Sequence, residues 1–108
     1  MDNLHTKKCA PCEGGVEPMK PEEFSTYLSM VANWFVVDNK MIEKIFILKD
    51  FQSAINFINQ IAKIAEEEGH HPDILLYNWN KVKIMLTTHA IGGLSINDFI
   101  IASKIDRL

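Results

Sequence analysis

The stretch Gly69-His70-His71-Pro72-Asp73-Ile74-Leu75-Leu76-Tyr77-Asn78-Trp79-Asn80-Lys81-Val82-Lys83-Ile84-Met85-Leu86 decides how this chain folds. Near its end, Val82, Ile84 and Leu86 alternate with Lys81, Lys83 and Met85. A period of two is the pattern of a half-buried strand. Residues 74–77 read as a second strand, and Asn78, Trp79 and Asn80 as the turn or strand end between them. Ahead of this hairpin, Pro72 confines His71 to extended backbone. Gly69 suits the left-handed position just past a helix end. The stretch is therefore a helix exit, a stiff corner carrying two imidazoles, and a hairpin.

Upstream, Asp50 is a good N-cap for a helix over residues 51–68. Phe51, Ala54, Ile55, Ile58, Ile61, Ala62 and Ala65 recur at helical spacing and form one apolar stripe. Phe51, Ile55, Ile58 and Ala62 are expected to face the sheet, with Val82, Ile84 and Leu86 among their partners. Glu66, Glu67 and Glu68 close this helix at the negative end of its dipole, a local conflict of the kind that accompanies function. Further upstream, residues 34–37 and 41–47 read as a first hairpin turning over Asp38, Asn39 and Lys40. Pro21 stands at a first helical position with Glu22 and Glu23 behind it, and Phe24, Tyr27, Leu28 and Val31 follow, which predicts a helix over 21–32. Downstream, Gly92 and Gly93 break the chain. Ser95 and Asp98 then resemble a capping box opening a third helix, with Ile96, Phe99, Ile100 and Ser103 along it. The order is α-β-β-α-β-β-α, an α+β fold with a four-stranded antiparallel sheet and three helices on one face.

With 108 residues the chain has the length of one domain. Its 47 % hydrophobic and 23 % charged residues exclude a mainly disordered chain. The longest apolar runs, such as Ile45-Phe46-Ile47-Leu48, are too short to cross a bilayer, so no membrane association is expected. Eleven basic against 14 acidic residues give a net charge of −3, which argues against nucleic acid as a partner. The opening residues, 1–5, lack the basic-then-apolar pattern of a secretory signal, so a cytoplasmic protein is expected. Residues 1–18 read as an N-terminal arm and residues 19–108 as a single domain. The arm carries Cys9 and Cys12 in a C-x-x-C, but no second pair completes a closed zinc site. Nor does the motif follow a strand and open a helix, as a thioredoxin-type motif would.

Three of the four histidines, His70, His71 and His89, fall in one short window. Histidine titrates near neutrality and is the usual general acid or base. If the strands of the second hairpin pair, the corner before one and the end of the other share an edge, and the three rings can converge. Bland readings stand beside this one. A surface His-His pair can be idle, Asp98 can be only a cap, and Trp79 only an apolar anchor. A three-histidine metal site is disfavoured, because adjacent side chains in extended chain diverge.

The run Glu66, His70, His71, Pro72, Trp79, His89 and Asp98, with those spacings, resembles the signature of the pterin-4a-carbinolamine dehydratases. The flanks are similar too, from Thr87-Thr88-His89 and Gly92-Gly93-Leu94-Ser95 to Asp98-Phe99-Ile100. The arm segment Cys9-Ala10-Pro11-Cys12-Glu13-Gly14-Gly15 resembles bacterial-type members. The resemblance implies dehydration of 4a-hydroxytetrahydrobiopterin to quinonoid dihydropterin, in the recycling of tetrahydrobiopterin. It implies no metal and no organic cofactor. It makes His70 and His89 the preferred acid/base pair and His71 a pterin contact. Glu66 and Asp98 would hold the imidazoles, and Pro72 and Trp79 would shape or orient the pocket. It also implies a homodimer or homotetramer and a functional link to an aromatic amino-acid hydroxylase. The alternatives are a non-catalytic pterin-binding or protein-interaction module, of the dimerisation-cofactor kind, and a metalloenzyme. The arm lies outside the signature and is expected to be dispensable for turnover.

Overall fold

A backbone hydrogen bond of 3.0 Å closes Lys40 onto Val37 across Asp38 and Asn39, both with positive φ (52° and 57°). Asp and Asn tolerate this left-handed region, and two such residues in a row match the twist of paired strands. They join β1 (Phe35–Val37) to β2 (Met41–Ile47). The second hairpin, β3 (Asp73–Tyr77) and β4 (Lys81–Leu86), turns over Asn78 and Trp79, whose φ values are 47° and 57°. This computed structural model describes residues 4–10 and 16–108; Cys12 lies outside the described residues.

The four strands form one antiparallel sheet in the order β1-β2-β4-β3. The central pair runs from Ile42 opposite Leu86 to Ile47 opposite Lys81. Three helices complete the α+β order read from the sequence: α1 (Pro21–Leu28), α2 (Phe51–Glu68) and α3 (Ile96–Asp106). Ile42, Val82, Ile84 and Leu86 are wholly buried together with residues of all three helices. The opposite face of the sheet carries exposed Phe35, Ile45, Ile47 and Leu75. The helices therefore lie on one face. Asp50 caps α2, accepting from the Ser53 N–H at 2.7 Å. That bond holds the Asp50 carboxyl below the usual range. α3 is the central helix; Phe99, Ile101, Ala102 and Ile105 are all sequestered, and it meets α1, α2 and a 3₁₀ turn at Leu4–Thr6.

Two expectations need correction. The first helix stops at Leu28 rather than at residue 32. Asn33 adopts positive φ (64°), and the chain turns so that both Val31 and the Trp34 ring enter the core. There the Trp34 indole donates to Asp106 at 3.0 Å. The buried face of α2 is also rotated from the one expected. Ala54, Phe57, Ile61 and Ala65 are buried, Ile55 and Ile58 are half-buried, and Phe51 and Ala62 are exposed. The helix is apolar on more than one side, so periodicity alone does not choose among registers. Packing chooses: the Phe57 ring lies 4.9 Å from that of Phe46.

Candidate active site

Gly69 ends α2 in the left-handed conformation (φ 65°), and the chain leaves at an angle that places His70 and His71 off the helix axis. The Nε2 of His70 lies 2.7 Å from Asp98 Oδ1. Side-chain exposure in this pair is 11 % for His70 and 0 % for Asp98. A carboxylate only accepts, so Nε2 carries the proton in this bond and Nδ1 is left for other work. The other oxygen, Oδ2, accepts from Thr88 Oγ1 at 2.8 Å and from the Ser95 N–H at 3.0 Å. One buried carboxylate thus caps α3, anchors the residue after β4 and orients His70.

His71 diverges from its neighbour, as adjacent residues in extended chain do. Its Nε2 lies 3.1 Å from Glu66 Oε2, an exposed pair that water screens. His89 opens a 3₁₀ turn (His89–Ile91) beyond β4. This turn is pinned by the Thr88 N–H donating to the Gly93 carbonyl at 2.8 Å. At Gly93 a Cβ would come within 2.5 Å of Pro18 Cβ, so no larger residue fits without displacement. Among the described residues the His89 ring has no hydrogen-bond partner.

Because β3 and β4 pair from Asp73–Met85 to Tyr77–Lys81, the start of one and the end of the other meet. The result is a cleft of about 410 Å³ bounded by residues 69–71 on one side and 87–90 on the other. His70, His71 and His89 all line it. Asp98 stands behind His70, Glu66 beside His71, and Pro72 follows the corner. Trp79 is not brought there: it sits at the far end of β3 and is 59 % exposed. Among the described residues, no group of three His, Cys, Asp or Glu side chains is placed to hold a metal ion.

Cys9, Ala10, Glu68 and Asn97 are among the lining residues that escaped the sequence reading. For Glu68 a signal existed, the acidic run at the wrong end of a dipole. Its partners explain it: Oε1 accepts the Cys9 N–H at 2.8 Å and Oε2 lies 3.6 Å from Lys104 Nζ. The Cys9 hydrogen bond, followed by the charge of Lys104, holds the Glu68 carboxyl below its usual range against the cost of burial. Burial first, and the negative charge of Glu68 second, push the Cys9 thiol up to about 12. Such a thiol stays protonated near neutrality and is a poor nucleophile there.

The model for the family Pterin 4 alpha carbinolamine dehydratase matches residues 17–108. A protein of Alkaliphilus metalliredigens, whose name marks it as an inferred pterin-4-alpha-carbinolamine dehydratase, is 45 % identical over 99 % of this chain and 96 % of its own length. The Arabidopsis thaliana protein named pterin-4-alpha-carbinolamine dehydratase 2, mitochondrial, is 43 % identical over 98 % of this chain and 59 % of its own. A crystal structure from Brucella melitensis, described as a transcriptional coactivator/pterin dehydratase, superposes with a TM-score of 0.79 at 30 % identity. It covers 84 % of this chain and 97 % of that one. With its fold, its histidine corner and these relatives taken together, this chain belongs to the pterin 4 alpha carbinolamine dehydratase family.

Proposed function

We propose that this protein is a hydro-lyase that dehydrates pterin 4a-carbinolamine to quinonoid dihydropterin and water, using His70 and His89 for the proton transfers. The observation that carries the reading is the placing of His70, backed by buried Asp98, in one cleft with partnerless His89. In the reaction the C4a–O bond breaks and the hydroxyl leaves as water after gaining a proton. N5 loses its proton, and its electrons form the N5=C4a double bond. One imidazole donates a proton and another accepts one, the usual work of histidine in general acid/base catalysis. Neither step calls for a metal or an organic cofactor. Asp98 holds the His70 ring in one orientation. His71, loosely held by exposed Glu66, is free to contact the pterin. The cleft volume lies within the range of small-molecule sites.

We read residues 19–108 as the catalytic domain and the assembly as a homo-oligomer working in the cytoplasm, beside the hydroxylase that forms the carbinolamine. No helix among the described residues is long and apolar enough to cross a membrane. A dehydratase assay on the purified chain, with and without EDTA, tests the function. Chelator-insensitive turnover supports it. Pterin binding without turnover would favour a binding module, the alternative to which the coactivator description of the Brucella protein also points. Loss of turnover in EDTA would favour a metalloenzyme.

A further inference from the structure

The N-terminal arm is held in the cleft by two buried side chains. Asn97, 4 % exposed, grips Ala10 on both sides. Its Oδ1 accepts the Ala10 N–H at 3.0 Å, and its Nδ2 donates to the Ala10 carbonyl at 2.7 Å. One amide thus supplies both bonds of a strand neighbour and fixes the backbone there. Glu68, whose side chain is 6 % exposed, accepts the Cys9 N–H at 2.8 Å. The Cys9 thiol donates to the Asn97 carbonyl at 3.7 Å. Lys104 extends the anchorage, lying 3.6 Å from Glu68 and donating to the His5 carbonyl at 3.0 Å. With the arm removed, the buried amide of Asn97 would lose both of these bonds, a costly state for buried polar atoms. The docked backbone lies where the cleft would otherwise be open, in the same cavity as His70, His71 and His89.

We infer that Cys9 and Ala10 are a wall of the substrate cleft, and that Asn97 and Glu68 are positioning residues that set pterin affinity without moving protons. The inference rests on the pterin reading above and replaces the expectation that the arm is dispensable. It predicts a split between KM and kcat that a purely structural role would not produce.

The test is steady-state dehydratase kinetics, with equilibrium binding of 7,8-dihydrobiopterin, on the full chain and on Asn97→Asp and Ala10→Pro. Asn97→Asp keeps the size and one acceptor but sets a carboxylate oxygen against the Ala10 carbonyl. An acid in the first turn of a helix is favourable, so α3 should survive it. Ala10→Pro removes the other bond at an exposed position. Both variants are expected to raise KM and the 7,8-dihydrobiopterin Kd about tenfold, with kcat within about threefold of the full chain. The pH profile of kcat should be unchanged. Folded variants with unaltered KM and Kd would overturn the inference, as would loss of kcat with a shifted profile. In either case an active parent chain leaves the dehydratase reading standing. A parent chain that neither binds nor turns over pterin would remove both.

Discussion

His70 and His71 are neighbours in the chain yet meet different carboxylates, one buried and one in water. This difference assigns them different expected phenotypes. His70→Ala and His89→Ala should each lower kcat by about 10²–10⁴-fold, the usual worth of general acid or base assistance. The double variant should lose less than the product of the two, because groups acting as a unit are non-additive. His71→Ala should act mainly on KM. Steady-state kinetics on the four proteins checks this, and near-normal rates for both single variants would sink the assignment. Asp98 serves three donors, so Asp98→Ala should cost about 2–4 kcal/mol in denaturant unfolding as well as activity. Glu68 carries a pH dependence. Its carboxyl is held below the ordinary value of 4.5 in the folded chain, chiefly by the Cys9 N–H and by Lys104. A lowered folded value means stability that is full above the ordinary range and lost as pH falls through it. The stability advantage of the parent over Glu68→Gln should therefore be present at pH 7 and shrink as pH falls below 4.5. A constant advantage across that range would contradict the ion pair.

At the scale of elements, α2 does two things. Its inner face seals the core and its last turn supplies Glu66, Glu68 and the exit to the histidines. Truncations separate the inner face from the outer. Phe57→Ala should cost about 3–5 kcal/mol, since Phe57 packs on Phe46 and leaves a cavity. Phe51→Ala, at a residue 53 % exposed, should cost no more than about 0.5 kcal/mol. Chemical denaturation of the pair checks the register, and equal effects would mean that the helix packs on another face. The two hairpin turns show how differently similar geometry can be encoded. Asp38 and Asn39 suit positive φ, whereas Trp79 adopts it (57°) against the preference of a bulky side chain.

At the scale of the whole molecule, the sheet has open edges at β1 and β3 and one face without helices. On that face Phe35, Ile45, Ile47 and Leu75 are 67 %, 47 %, 70 % and 48 % exposed. Proteins seldom leave strand edges and apolar faces both uncovered. A closed homo-oligomer is the expected outcome, and light scattering at micromolar concentration should return a multiple of 12.3 kDa. A monomer mass would refute it. β3 is both an edge strand and the strand that leads away from the histidine corner, so assembly through that edge would also bear on the cleft.

The order of elements, the sheet class, both ends of α2 and the start of α3 were legible in the residues themselves. Alternation in β4, the Asp50 cap, Gly69 and the Ser95–Asp98 box are local, and local chemistry acts through neighbours in the chain. The convergence of His70, His71 and His89 was legible as well, because pairing of one hairpin suffices to bring the corner and the strand end together. The face that α2 buries was not legible, since several of its sides are apolar and only the rings opposite decide between them. Trp79 was expected at the pocket and stands at the far end of β3, because strand length and direction set that distance. The docking of Cys9 and Ala10 on Glu68 and Asn97 was invisible too. It joins residues 59 and 87 positions apart through backbone groups, which carry no signature in the sequence. Contacts of that reach exist only once the chain has folded.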